Sequence, residues 1–180
     1  MKTRIHRILF SYIVFTLFTL SNTLHAQQYE TVKIGNQVWM KYNLTTDVLG
    51  SICYDKDSLN CNNYGRLYCW QAALDACPDG FRLPTDKDWS VLVNYLGGQD
   101  SAAQALLEGG TSGFDVPLAG NYQPEMKMFS FKGQKAYFWT ASSYSMNTAW
   151  IWLFHKNRKD VVRTTIGKSF YFSIRCIKTD

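Results

Sequence analysis

The hydrophobic positions of this chain follow two different rhythms. Val32 and Ile34 alternate with polar neighbours, Gly35-Asn36 interrupts, and Val38 and Met40 resume the alternation. Two period-two runs joined by a two-residue Gly-Asn loop predict a β-hairpin within residues 29–40. Residues 45–63 carry no rhythm. They are polar and rich in turn formers, with "CYDKDSLNC" spanning Cys53 to Cys61, and read as a surface loop.

The spacing then turns helical. Trp70, Ala73, Leu74 and Cys77 fall at i, i+3, i+4 and i+7, which predicts a short helix that Pro78 stops. Trp89, Leu92, Val93 and Leu96 repeat that stripe. Thr85 with Asp88 three residues on is a capping-box start, and Gly97-Gly98 is a stop. Residues 101–108 predict a third, shorter helix. In "CPDGFRLPTDKDW", the stretch before the second helix, Leu83 is expected to pack inward and Pro84 to fix the approach. Arg82 is expected to pair with a carboxylate.

From residue 113 the rhythm returns to period two. "AYFWTAS" (136–142), "TAWIWLFH" (148–155), "DVVRTTI" (160–166) and "SFYFSIRCI" (169–177) are rich in β-branched and aromatic residues. Gly167-Lys168 reads as the loop of a terminal hairpin. On the last strand Phe170, Phe172, Ile174 and Cys176 share one face, which directs Cys176 into the core. A hairpin, two main helices and a long run of strands define an α+β fold, with the helices packed on a hairpin-rich, largely antiparallel sheet.

The N-terminus changes the picture of where this domain works. Lys2, Arg4 and Arg7 precede an apolar run from Ile8 to Leu20, and Leu24-His25-Ala26 is a small-residue cleavage site. Residues 1–26 read as a secretory signal peptide, a retained membrane anchor being the other reading of the same run. Residues 27–180 form a single domain, with no membrane span after cleavage. The leader takes three of the 19 Lys+Arg and none of the 14 Asp+Glu, which leaves 16 against 14, a net charge near +2. That balance argues against nucleic acid as a partner. The expected location is periplasmic, outer-membrane-associated or secreted.

Five cysteines in an exported chain imply two bridges and one thiol left over. Cys53 and Cys61 flank a short loop and form a natural local pair. Cys77, on its helix stripe, and Cys176, on the apolar face of the last strand, form the other. Cys69 with Cys77 is excluded because eight residues along one helix separate Cα atoms by roughly 12 Å. Cys69 is left free and packed. Zinc is the competing reading, but there is no Cys-x-x-Cys and His155 has no partner histidine in the mature chain.

Three stretches, "IGNQVWMKYNL", "YGRLYCWQAALDACPDGFRLPTDKDW" and "KSFYFSIRCIKTD", occur in that order. Together they resemble the Fibrobacter succinogenes major paralogous domain, a family common in exported bacterial proteins, notably of Bacteroidota. The resemblance spans residues 32–180. It implies a C-type lectin-like mixed fold, related in architecture to formylglycine-generating enzymes through the "RLPT…W" element. Cys69 departs from the family, which more often carries a polar or small residue there.

Three functions are weighed on these residues. An oxidase of the formylglycine-generating kind needs a reactive cysteine pair in its C-terminal half, and that half holds only Cys176. No Ser/His/Asp set or paired carboxylates stand out, so no catalytic residue and no cofactor is assigned. A calcium-dependent lectin is suggested by Gln123-Pro124-Glu125, a tripeptide similar to a calcium- and sugar-binding motif. After Glu125, however, the next acidic residue is Asp160, and calcium needs six to eight oxygens. The expectation is therefore a non-catalytic binding or surface-display module for a protein or glycan, with no metal. Its possible ligand surface is aromatic: Trp150 and Trp152, extended by Tyr137 and Trp139 or by Tyr144 and Tyr122. The alternative is that strand 148–154, apolar on both faces, is simply buried on both sides. The Asn43-Leu44-Thr45 sequon is expected to be unused.

Overall fold

A computed structural model describes residues 29–179. The expected signal peptide, residues 1–26, lies outside them. The first hairpin forms as predicted, β1 (Thr31–Ile34) against β2 (Gln37–Met40), in the register Ile34↔Gln37. Gly35 occupies the first central position at φ +58°, the place where a two-residue hairpin loop demands glycine.

Residues 45–63 are more ordered than a loop. β3 (Ser51–Ile52) and a 3-10 turn at Tyr54–Lys56 lead into α1 (Ser58–Tyr64). Asp57 caps α1 by accepting from the Leu59 N–H at 2.9 Å, and Asn60 Nδ2 donates to the Tyr54 carbonyl at 2.9 Å. The Cys53–Cys61 bridge closes the unit. β4 (Leu67–Cys69) follows, then α2 (Trp70–Asp75). α2 is shorter than its apolar stripe predicts: Cys77 lies beyond its end, and Cys69 is its N-cap. The pairing still resolves as 53–61 and 77–176, with Cys69 free and partly buried. The helical spacing used to separate Cys69 from Cys77 is not what keeps them apart.

β5 (Phe81–Arg82) precedes α3 (Asp86–Tyr95). The capping box is complete: the Asp88 N–H donates to Thr85 Oγ1 at 3.2 Å, and the Thr85 N–H donates to Asp88 Oδ2 at 2.7 Å. Arg82 pairs with the same carboxylate at 2.6 Å. Burial works to raise the Asp88 carboxyl, but the Arg82 guanidinium and the Thr85 donors outweigh it and hold it below the usual carboxylate range. α4 (Ala102–Leu106) buries Ala102, Ala103 and Leu106.

The remaining strands are β6 (Asn121–Gln123), β7 (Met128–Ser130), β8 (Lys135–Ser143), β9 (Thr148–His155) and β10 (Val162–Gly167). β11 (Tyr171–Phe172) and β12 (Ile177–Lys178) complete the set. Among the described residues three antiparallel sheets result, ordered β1-β2-β12-β5, β10-β9-β8 and β3-β4-β11-β6-β7. The middle one is sandwiched between two cores. Ala136, Phe138, Trp152 and Phe154 face the core of Trp39, Trp89 and α4. Tyr137, Trp139, Ala149 and Ile151 face the core of Met40, Phe172 and Ile174.

The C-terminal segment departs most from its predicted form. No single strand spans 169–177, and β10 pairs with β9 but not with β11, so the terminal hairpin does not form. Only its turn survives, with the Phe170 N–H donating to the Gly167 carbonyl at 3.2 Å. β11 enters the five-stranded sheet, Ser173 bridges in parallel to Phe138 of the three-stranded sheet, and β12 joins the four-stranded sheet. Phe172, Ser173, Ile174, Arg175 and Cys176 are all fully buried, so both faces of this segment are interior. Period-two alternation describes a strand with one wet side and cannot anticipate a segment enclosed on both.

Candidate functional site

The six aromatics proposed as a ligand surface do not form one. Trp139 and Trp152 are fully buried and offer no surface. The burial of β8 and β9 on both sides accounts for them, Trp139 Nε1 donating to the Tyr68 carbonyl at 2.8 Å and Trp152 Nε1 to Asp86 Oδ1 at 3.1 Å. Trp150 is half-buried beside Tyr144, with ring centroids 5.2 Å apart. The Arg163 guanidinium covers the Trp150 ring at 3.5 Å while pairing with Asp86 at 2.7 Å. That ring face is already occupied by a neutralised cation. Tyr122 belongs to a third cluster, packed on Phe129 and Tyr171. Tyr137, largely buried, lines a cavity.

That cavity is a cleft of about 300 Å³ at the seam between the five-stranded and three-stranded sheets. Its position follows from strand alternation. Tyr171 pairs with Tyr122, and Tyr122 with Phe129, so these three share the far face of the five-stranded sheet. The near face therefore presents Asn121 and Gln123 of β6, Met128 and Ser130 of β7, and Phe172 of β11 with Phe170 just before it, all of which line the cleft. Tyr137 of β8 and Ile166 of β10 form the opposing wall. The Tyr137 and Phe172 rings stack at 4.8 Å with only 12° between their planes.

Local backbone geometry holds the floor in place. Gly120, at φ +71°, precedes Asn121 where the chain squeezes past β7; a Cβ there would lie 2.3 Å from the Ser130 carbonyl oxygen. Its N–H donates to the Lys135 carbonyl at 2.9 Å, seating β6 beside β8. At the rim stands Phe131, exposed and at φ +66°, a left-handed conformation that an aromatic residue rarely adopts. The Lys135 ammonium sits 4.3 Å from the centre of its ring.

The lining of the cleft is uncharged, with the Lys135 ammonium at its rim. No Lys, Arg, Asp or Glu lines it among the described residues. Burial pushes the Tyr137 phenol up to about 12, so it stays an O–H donor at neutral pH. Asn121 is 5% exposed, and its Oδ1 is buried with no hydrogen-bond partner among the described residues. A buried acceptor left unpaired costs about 1–3 kcal/mol, so such groups are uncommon in folded proteins.

The other chemical candidates are placed as follows. Glu125 Oε1 accepts from Ser169 Oγ at 3.2 Å, and the Lys127 N–H donates to the Pro124 carbonyl, so the Gln123-Pro124-Glu125 stretch is the turn of the β6–β7 hairpin. Among the described residues no group of three or more His, Cys, Asp or Glu converges as a metal site would require. His155, at the end of β9, accepts through Nδ1 from the Asn157 N–H. Asn43 of the sequon is buried, donating to the Tyr64 carbonyl at 2.9 Å and accepting from Arg175. Residue spacing did not point to Asn121 or Ser130, and it singled out Gln123 only within the Gln123-Pro124-Glu125 tripeptide. Their signal was present: "NYQ" and "MFS" flank a turn and alternate polar or flexible side chains with an aromatic, a hairpin with one face unlike the other.

Comparison with protein families places the chain. It belongs to the Fibrobacter succinogenes major domain family, whose model matches residues 32–178. No curated protein is similar enough to match it.

Proposed function

We propose that this is an exported, non-catalytic binding domain of a bacterial cell envelope, with a C-type lectin-like arrangement, and that it holds its ligand in the cleft between β6, β8 and β11. The observation that carries this reading is the cleft itself, whose lining sets the polar side chains of Asn121, Gln123 and Ser130 against Phe131, Phe170 and Tyr137. Two disulfides suit an oxidising compartment, in line with the leader at residues 1–26. Among the described residues no helix is long and apolar enough to cross a membrane. An oxidase function finds no support in sulfur chemistry, because Cys176 is fully buried in a disulfide and Cys69 has no neighbouring thiol partner among the described residues.

The test is a screen of small polyhydroxylated and aromatic fragments by NMR, on protein produced through an oxidising export route. Perturbed resonances should cluster at Asn121, Gln123, Phe131 and Tyr137, and Trp150→Ala should leave them unchanged. Fragments that gather around Trp150 and Tyr144 instead, or thiol-dependent oxidation of a cysteine peptide, would refute the reading.

A further inference from the structure

The lining of the cleft narrows the chemistry of what it takes. Resting on the reading of the cleft as the binding site, we infer that its ligand is an uncharged saccharide unit, held without a metal ion. Two observations converge on this class. The polar groups are two carboxamides and a hydroxyl, Asn121, Gln123 and Ser130, all on one face of the β6–β7 hairpin. Each carboxamide offers an acceptor and donors, and the hydroxyl does both, which matches ligand hydroxyl groups that also donate and accept. The apolar side of the cleft is presented by the exposed Phe131 and the partly buried Phe170 and Ile166, while Tyr137 is largely buried and Phe172 wholly so. A sugar ring has the matching division, apolar C–H faces and a polar rim.

Charge excludes the nearest rivals. With no Lys or Arg in the lining, a carboxylate, sulfate or phosphate seated there would have the Lys135 ammonium at the Phe131 rim, and no lining residue, as a counter-ion. With no Asp or Glu there, a calcium-bridged mode has no ligands to build on. An aromatic peptide side chain would fill the apolar wall but give the Asn121 and Gln123 carboxamides and the Ser130 hydroxyl no hydrogen-bonding partner. The cleft is also small, at the lower end of the roughly 300–1,000 Å³ typical of small-molecule sites. It suits the terminal residue of a glycan or a short oligosaccharide.

The experiment is an array carrying neutral oligosaccharides, uronate-containing and sulfated glycans, and aromatic peptides, probed with and without EDTA. The wild-type protein is compared with Asn121→Leu, Gln123→Ala and Trp150→Ala. The expected result is capture of neutral glycans that EDTA does not change. Asn121→Leu should weaken it by about tenfold or more while the melting temperature holds or rises, since the substitution removes an unpaired buried group. Gln123→Ala should weaken it less, and Trp150→Ala not at all. Capture of acidic glycans only, loss on chelation, or no glycan captured would overturn the saccharide inference. Peptide capture abolished by Asn121→Leu would also overturn it, while leaving the cleft as the site. Glycan capture untouched by both Asn121→Leu and Gln123→Ala would remove the cleft reading itself.

Discussion

Two buried polar side chains, Arg175 and Asn121, are treated in opposite ways by the same fold. Arg175 lies fully buried in the closing segment and hydrogen-bonds to no carboxylate among the described residues, yet its donors are used. Nε and Nη2 reach Asn43 Oδ1 at 3.1 and 2.7 Å, Nη1 donates to the Phe114 carbonyl, and Nη2 reaches the Asp115 carbonyl at 3.3 Å. The guanidinium also lies 4.3 Å from the centre of the Phe114 ring. Burial pulls its pKa down to about 9, which still leaves it charged at neutral pH. Asn121 is nearly as buried, and its carboxamide oxygen has nothing. Among the described residues Trp89 Nε1 and Ser173 Oγ are also buried without a partner, so an unpaired group is not in itself the mark of a site. What sets Asn121 apart from those two and from Arg175 is that it lines a cleft.

The contrast can be broken experimentally. The largest effect is expected at the covalent partner of the Arg175 seam. Replacing Cys77 and Cys176 together by alanine opens a closure of 99 residues and should cost about 4 kcal/mol, measured by urea unfolding. A loss below about 1 kcal/mol would mean that the seam holds by packing alone. Arg175→Ala should come next, at about 3 kcal/mol, because it leaves a cavity and strands Asn43 and two carbonyls without their donors.

The sharpest comparison is between two asparagines. Asn43→Ala should destabilise by about 1–2 kcal/mol, whereas Asn121→Leu should be neutral or stabilise by up to about 1 kcal/mol in the ligand-free protein. Equal losses at both positions would erase the distinction between the two regions. The smallest effect belongs to the half-exposed cluster at the start of α3. The folded-state pKa of Asp88 is depressed, so its contribution is full above the ordinary carboxylate value near 4 and is lost as pH falls through the lower folded value. Asp88→Asn should therefore flatten the acid limb of the stability profile below about pH 4 while leaving the Asn43 and Asn121 difference unchanged.

Much of this architecture could be read from residue spacing where the cause is local. The first hairpin, the Thr85–Asp88 cap, the stripe of Trp89, Leu92 and Val93, and the bounds of β9 all rest on neighbours within a few positions. α1 could not be read because its sequence, SLNCNNY, has no apolar stripe; a disulfide and an aspartate cap hold it instead. The final strand looked continuous because alternation records side-chain polarity and not which sheet supplies the hydrogen bonds. The aromatic surface failed for a related reason: a strand lying between two cores is apolar on both faces, and Trp152 and Trp150 look alike until the partners of each are known. The cleft depends on β6, β8 and β11 meeting across a span of about fifty residues, Asn121 to Phe172, so only its polar face left a local trace.

The threading of residues 171–178 through all three sheets has a consequence for biogenesis. A chain that emerges N-terminus first presents both cores before the segment that seals them has been made, and local contacts alone cannot close the seam. Neither core can be sealed until this short stretch has been made.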